Sequence, residues 1–248
     1  MKGPGNFHSA AFWGEDHVEL GDIAVESVGR DCAIAISRGK YPKGYPYLDP
    51  NEDAVLVATD GTSSILAVVD GHRGFDAARA ALTEIEANAE VLLDRHPSPE
   101  SALRLAAARA RQAVVEAVAS ETGERSGSRT TVALAVVGSG RIDGFSFGDS
   151  RVVVVGSKRS TQVSATGPFL GPGVSADEAR FFGSSIGAGS WVLAGTDGLF
   201  DFLTRTWPKQ LAELATDADP QEFARNAVGL AFTGGSGDNI AAAVIRIT

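Results

Sequence analysis

Short apolar runs recur along this chain at close intervals, and most end on a turn-forming residue. Residues 33–37, 54–59 and 65–69 form one group, and 131–137, 142–147 and 152–155 a second. Two more runs, 191–194 and 240–247, come late. Within the first two groups the spacers are mostly short and carry Gly, Asp or Ser, which is the chemistry of antiparallel hairpins. A chain patterned in this way folds around antiparallel sheets.

Two long helical patterns interrupt the runs. Phe75, Ala78, Leu82, Ile85, Ala89 and Leu92 recur at three- and four-residue spacing, giving one apolar stripe. A second helix is expected from Ser98 as N-cap and Pro99 at the first helical position, and it runs through Ala119. A third is expected after Asp219-Pro220, burying Phe223, Ala227 and Leu230. Small, alanine-rich helix faces pack closely on sheets. The expected class is α+β, a four-layer α-β-β-α sandwich of two antiparallel sheets flanked by helix pairs.

Composition narrows the functional classes. With 248 residues and 44% hydrophobic content, the chain can bury a large core without a covalent or metal staple. Cys32 is the lone cysteine, so no intramolecular disulfide can form, and a reducing, cytoplasmic compartment is expected. The net charge of −9 disfavours nucleic-acid backbones and anionic membranes as partners. No signal-peptide pattern and no membrane-spanning run is present.

Carboxylates at the ends of apolar runs carry the chemical information. If Gly61-Thr62 is a two-residue hairpin turn, opposed residues have numbers that add to 123, and Asp53 then faces Asp70, with Glu52 and Gly71 the next pair along. Opposed carboxylates repel unless something compensates them, and a divalent cation is the simplest compensation. Asp149 lies in the turn Gly148-Asp149-Ser150, Asp197 follows a strand through Gly195-Thr196, and Asp238 precedes the last strand. Each of these acids on its own reads as a turn former. Together they offer hard oxygen ligands that suit Mg²⁺, Mn²⁺ or Ca²⁺ and not zinc.

Six segments, in order, resemble the metal-dependent protein phosphatases, the PPM or type 2C serine/threonine phosphatase family. They are Asn51-Glu52-Asp53-Ala54, Val69-Asp70-Gly71-His72-Arg73-Gly74, Ser128-Arg129-Thr130-Thr131, Gly148-Asp149-Ser150-Arg151, Gly195-Thr196-Asp197-Gly198-Leu199-Phe200-Asp201 and Gly237-Asp238-Asn239-Ile240. The resemblance covers about residues 30–248. It implies a sandwich of two antiparallel sheets and one phosphatase domain over 1–248, with 1–29 an N-terminal segment and edge strand and 156–189 a reduced flap.

The resemblance also implies roles. Asp70 would bridge two Mn²⁺ or Mg²⁺ ions, and the Gly71 carbonyl would bind one of them. Asp197 and Asp238 would complete the other, and Glu52 and Asp53 would act directly or through water. Asp149 with Asp197 would hold a possible third ion, Asn239 would position Asp238, and His72 would be the general acid. The implied reaction is hydrolysis of phosphoserine or phosphothreonine in a phosphorylated protein by a metal-activated water. The enzyme is expected to be a monomeric signalling protein.

This chain also departs from the family pattern. Leu48 stands where many members carry a phosphate-binding arginine, and Lys40, Lys43 and Arg73 are candidate replacements. Arg73 stands where glycine is commoner. Ser164-Ala165-Thr166-Gly167 occupies the place of an Asp-His step. Two rival readings follow: a catalytically silent relative that binds phosphoproteins, and a phosphatase of small phosphorylated molecules. The segment 39–51, with Pro42, Pro46, Pro50 and three tyrosines, is expected to be an ordered aromatic loop.

Overall fold

The computed structural model describes residues 7–94 and 99–248. The chain opens with β1 (His8–Trp13), β2 (Ala24–Val28), β3 (Cys32–Ser37), β4 (Asp53–Thr59) and β5 (Ser63–His72). Three helices follow: α1 (Asp76–Ala87), α2 (Ala89–Leu93) and α3 (Pro99–Ala119). Next come β6 (Arg129–Thr130), β7 (Val132–Gly138), β8 (Arg141–Phe147), β9 (Arg151–Val155), β10 (Ser160–Gln162), β11 (Arg180–Ser185) and β12 (Trp191–Gly195). The chain closes with α4 (Asp197–Phe200), α5 (Trp207–Leu214), α6 (Pro220–Thr233) and β13 (Ile240–Arg246).

The strands form two antiparallel sheets. One has the order β1-β4-β5-β7-β8-β11, with β6 added beside the end of β5, and the other has the order β10-β9-β12-β13-β3-β2. The four-layer arrangement follows from alternation along β4 and β5. Val55, Val57, Leu66 and Val68 face the second sheet and meet Ile34, Ile36, Val192 and Ala243. Ala54, Leu56, Ala58, Ile65 and Ala67 face the other way and pack on α1, α2 and α3. The second sheet turns Ala35, Val153, Leu193 and Val244 toward α5 and α6. These central strands are buried on both faces, so they read as continuous apolar runs and not as alternating ones.

The β4–β5 hairpin has the expected register: Asp53 pairs with Asp70 and Thr59 with Ser64. Gly61 takes φ +83° in the turn, and the Asp60 carboxylate accepts the Thr62 and Ser63 amides. Glu52 and Gly71 continue the ladder through a Gly71 N–H to Glu52 carbonyl bond of 3.0 Å. The hairpin reading does not extend to every short spacer. β8 lies in one sheet and β9 in the other, so the Gly148-Asp149-Ser150 turn carries the chain across the sandwich. Gly148 makes this step at φ +73°, where a Cβ would lie 2.6 Å from Thr131. β3 and β4 are likewise in different sheets, joined by the aromatic loop.

The single stripe from Phe75 to Leu92 breaks at Asn88, whose φ of −106° and ψ of 8° end α1 and start α2. Its side chain donates to the Glu84 carbonyl and carboxylate, holding the break. The proposed Ser98 cap lies outside the described residues. Asp219 caps α6 with a full capping box through Glu222. The 156–189 segment contains β10, β11 and one short 3₁₀ turn. Among the described residues, no helix is long and apolar enough to cross a membrane.

Candidate metal centre

Every singled-out acid lies at one end of the sandwich. Asp53 opens β4, and Asp70 is two residues before the end of the neighbouring antiparallel strand. Asp149 sits in the turn between the sheets, Asp197 heads α4 immediately after β12, and Asp238 precedes β13. Antiparallel pairing therefore delivers residues 53 to 238 to one edge.

Asp70, Asp149 and Asp197 each offer a carboxylate oxygen within 4.8 Å of the others. The Asp70 amide donates to Thr131 Oγ1 at 3.1 Å, and Thr131 Oγ1 shares a 2.6 Å hydrogen bond with Ser150 Oγ. Asp149 Oδ1 is buried without a hydrogen-bond partner. An unpartnered buried carboxylate oxygen beside two more carboxylates is costly unless a cation completes it. The donors are all oxygen, which suits Mg²⁺ or Mn²⁺. On these grounds the residues present fit a hard dication.

The charge state of the acids points the same way. Burial raises the Asp70 carboxyl well above the usual range, and Asp53, Asp197 and Asp238 raise it further. Burial likewise raises Asp53, against the opposing pull of Lys43. Asp197 is pushed up to about 7, by burial first and then by Asp238 and Asp149. Cations in the cage would restore the ionised forms.

Asp53 and Glu52 are held from several sides. Asp53 Oδ2 accepts Thr196 Oγ1 at 2.8 Å, and the same hydroxyl accepts the Ala241 amide at 3.0 Å. Glu52 Oε1 accepts the amides of Leu48, Asp49 and Gly74 at 3.3, 3.2 and 2.9 Å. Arg125 ties this cradle down by gripping both oxygens of Asp49 at 2.8 and 2.9 Å and Asp76 at 2.7 Å. Burial raises the Glu52 carboxyl, against Lys43 and the three amides. Gly71 must lack a side chain, because a Cβ there would lie 2.8 Å from the Glu52 carbonyl.

Asn239 locks the two sheets together at this edge. Its Oδ1 accepts the Glu52 amide at 2.9 Å, its Nδ2 donates to the Arg38 and Pro50 carbonyls, and its own amide donates to Asp238 Oδ1. Asp238 lies outside the three-carboxylate group, and both of its oxygens are engaged by the aromatic loop. Tyr45 Oη donates to them at 3.0 and 2.9 Å, and Lys43 Nζ lies 3.1 Å from Oδ1. The Lys43 side chain is 4% exposed and is flanked by the Tyr45 and Tyr47 rings. Burial opposes its charge, but Asp238, Asp53, Asp70 and Glu52 outweigh that and raise its pKa.

His72 ends β5 with Nε2 3.5 Å from Asp70 Oδ2, buried and without a hydrogen bond. Burial lowers its pKa, and Arg129 lowers it further. Of the proposed phosphate ligands, Lys43 enters the cage, whereas Lys40 lies over the Tyr41 ring. Arg73 is exposed at φ +63° with its guanidinium against Gly127. The sequence reading did not single out Thr196, Tyr45, Arg125 or Phe169 as site residues. Tyr45 lies in the loop expected to be ordered, and Thr196 adjoins Asp197, so adjacency was the available signal for both. Nothing in the sequence marks Phe169.

The fold is a four-layer α-β-β-α sandwich with a cage of acids at one edge. The family description Protein phosphatase 2C matches residues 48–226, and the chain belongs to that family. The serine/threonine phosphatase Stp1 from Staphylococcus aureus is similar in fold, with 20% identity, a TM-score of 0.74, and 94% of this chain and 98% of that chain covered. The Mycobacterium tuberculosis serine/threonine phosphatase PstP/Ppp superposes with 20% identity and a TM-score of 0.67, covering 91% and 98%. A bacterial serine phosphatase gives 18% identity and a TM-score of 0.73, covering 88% and 98%. The PstP catalytic domain is also known in complex with two manganese ions. A search of curated proteins finds no match.

Proposed function

We propose that this protein is a metal-dependent phosphatase that hydrolyses phosphoserine or phosphothreonine in proteins. The observation that carries this reading is the meeting of the Asp70, Asp149 and Asp197 carboxylates within 4.8 Å, with His72 Nε2 3.5 Å from Asp70. In this reading Asp70, Asp149 and Asp197 hold Mn²⁺ or Mg²⁺, joined by Asp53, Glu52, the Gly71 carbonyl and Asp238. Bound there, such ions supply Lewis acidity, lowering the pKa of water and screening charge on phosphoryl oxygens.

The chain's own residues do the rest. Thr196 holds a carboxylate oxygen of Asp53 and Thr131 holds the backbone amide of Asp70, which keeps both residues in place when a charged substrate arrives. Lys43, released from Asp238, binds a phosphoryl oxygen in place of the arginine that Leu48 lacks. His72 Nε2 holds the proton that the leaving serine or threonine oxygen takes up. Its lowered pKa makes the imidazolium a stronger acid than a free histidine. The proposed setting is a cytoplasmic signalling enzyme that opposes a kinase.

The test is turnover of a phosphoserine peptide with Mn²⁺, with Mg²⁺ and with EDTA. Activity is expected with either metal, and EDTA should abolish it. Turnover that persists in EDTA would overturn the mechanism. Metal binding without any turnover would favour a silent phosphoprotein-binding relative, and turnover confined to small phosphomonoesters would redirect the substrate class.

A further inference from the structure

Arg129 pairs with His72 across the β5–β6 ladder. Directly opposed residues of antiparallel strands project to the same side, with Cβ atoms about 5 Å apart. Phe169 joins the two: its ring meets His72 edge-on at 4.6 Å, and the Arg129 guanidinium lies over the same ring at 5.2 Å. Phe169 is held there because Leu170 exchanges two backbone hydrogen bonds with Thr130, each of 2.8 Å. The result is a short stack from Asp70 through His72 and Phe169 to an exposed guanidinium.

A second exposed arginine, Arg73, lies close in the chain to this stack. It follows His72 directly, is exposed, and rests its guanidinium against Gly127, two residues before Arg129. Neither arginine has a carboxylate partner among the described residues, whereas Arg125 close by is saturated by Asp49 and Asp76. One uncompensated guanidinium, that of Arg129, therefore lies beside His72 at the rim of a cage of acids, with that of Arg73 against Gly127 nearby, in a protein of net charge −9.

The position decides what they can touch. In the proposed reaction, on which this inference rests, His72 gives its proton to the leaving oxygen. The atoms bonded to that oxygen are the substrate's own side chain and peptide, and these must lie beyond His72, over Phe169 and Arg129. We infer that Arg129, stacked on Phe169 beside His72, selects phosphopeptides carrying an acidic residue next to the phosphorylated one. A planar guanidinium binds a carboxylate through two parallel hydrogen bonds, and stacking on the ring fixes its orientation at little further entropy cost. An anionic peptide approaching an acidic protein also needs a local cation of this kind to dock.

The experiment uses two phosphoserine peptides identical except for Glu or Gln beside the phosphoserine. Their kcat/KM is measured with Mn²⁺, and their binding to the same protein is followed by fluorescence anisotropy, on wild type, Arg129→Gln and Arg129→Glu. Wild type should prefer the Glu peptide by about tenfold. Arg129→Gln should bring the ratio close to one, and Arg129→Glu should invert it, both mainly through KM. Turnover without preference, or a preference that survives Arg129→Gln, overturns the inference and leaves the phosphatase reading standing. Selective binding that Arg129→Gln abolishes, without turnover, keeps the Arg129 assignment and overturns the phosphatase reading. Neither binding nor turnover of either peptide overturns both.

Discussion

Asp53 and Asp70 stand directly opposite each other across the β4–β5 ladder, and both are buried. Like charges in that position destabilise a sheet, and burial adds a desolvation cost. The arrangement persists because Thr196 donates to the Asp53 carboxylate, Thr131 holds the Asp70 backbone amide, and cations can share the charge. Stability and function therefore oppose each other at this pair.

Replacing Asp70 with Asn keeps the volume and removes the cost of holding two buried acids face to face, whether that cost is met as repulsion or as forced protonation. In EDTA, Asp70→Asn should be more stable than wild type by roughly 1–2 kcal/mol, or about 2–4 °C in Tm per kcal/mol for a chain of this size. With Mn²⁺ the order should reverse, because the variant gains little from metal, and turnover should fall by several orders of magnitude. Calorimetry of melting with and without chelator, together with a Mn²⁺ titration, checks both halves. A variant destabilised in EDTA with unchanged metal affinity would contradict the electrostatic account.

Thr196 tests the support behind Asp53. Its hydroxyl donates to Asp53 Oδ2 and accepts the Ala241 amide, and the residue is fully buried. Thr196→Val keeps the shape but orphans that amide, which should cost about 1–3 kcal/mol. It should also weaken Mn²⁺ binding, because Asp53 loses a fixed contact. Thr196→Ser should recover most of both. Urea unfolding and metal titration of the two variants distinguish lost hydrogen bonding from lost packing.

Much of this edge was legible in the sequence because strand register is arithmetic. A two-residue turn at Gly61-Thr62 fixes Asp53 against Asp70 with no knowledge of distant contacts. The central strands were readable because burial on both faces makes them apolar throughout. Edge strands gave no clear run of their own, and only the family resemblance implied one, within 1–29: β2, β10 and β11 are partly exposed and mix polar residues such as Glu26, Thr161 and Ser184 into short runs. The crossing at Asp149 looked like a hairpin, because a tight glycine turn can return a strand or pass it to another sheet. Long-range partners were also hidden. Tyr45 lies 193 positions from Asp238 in sequence, and no local pattern joins them.

Lys43 offers a sharper test of roles, because its ammonium touches Asp238 at 3.1 Å inside the cage. If it binds a phosphoryl oxygen during turnover, Lys43→Met should weaken inhibition by inorganic phosphate about tenfold and raise KM by a similar factor, in the range of one lost charged hydrogen bond. Inhibition is measured with Mn²⁺ at saturation, and Mn²⁺ affinity is measured separately. Tighter Mn²⁺ binding with unchanged phosphate inhibition would assign Lys43 solely as the counter-ion of Asp238.

Cys32 gives a pH dependence independent of the cage. Burial pushes its thiol up to about 11 from an ordinary value near 9, partly offset by a hydrogen bond to Ser64 and reinforced by Asp31. The folded state therefore holds this proton more tightly than the unfolded chain. Its contribution is fully present below about pH 9 and is lost as pH rises toward 11, because the unfolded thiol ionises first. Two units correspond to roughly 3 kcal/mol as an order of magnitude. Urea midpoints for wild type and Cys32→Ala across pH 8 to 11 isolate this contribution from the titration of lysines and tyrosines. The wild type should lose more stability over that interval than the variant, and thiol-reagent labelling of the native protein at pH 8 should be slow, with only about a thousandth of Cys32 ionised. Parallel pH curves, or rapid native labelling, would show instead that the Cys32 pocket opens to water.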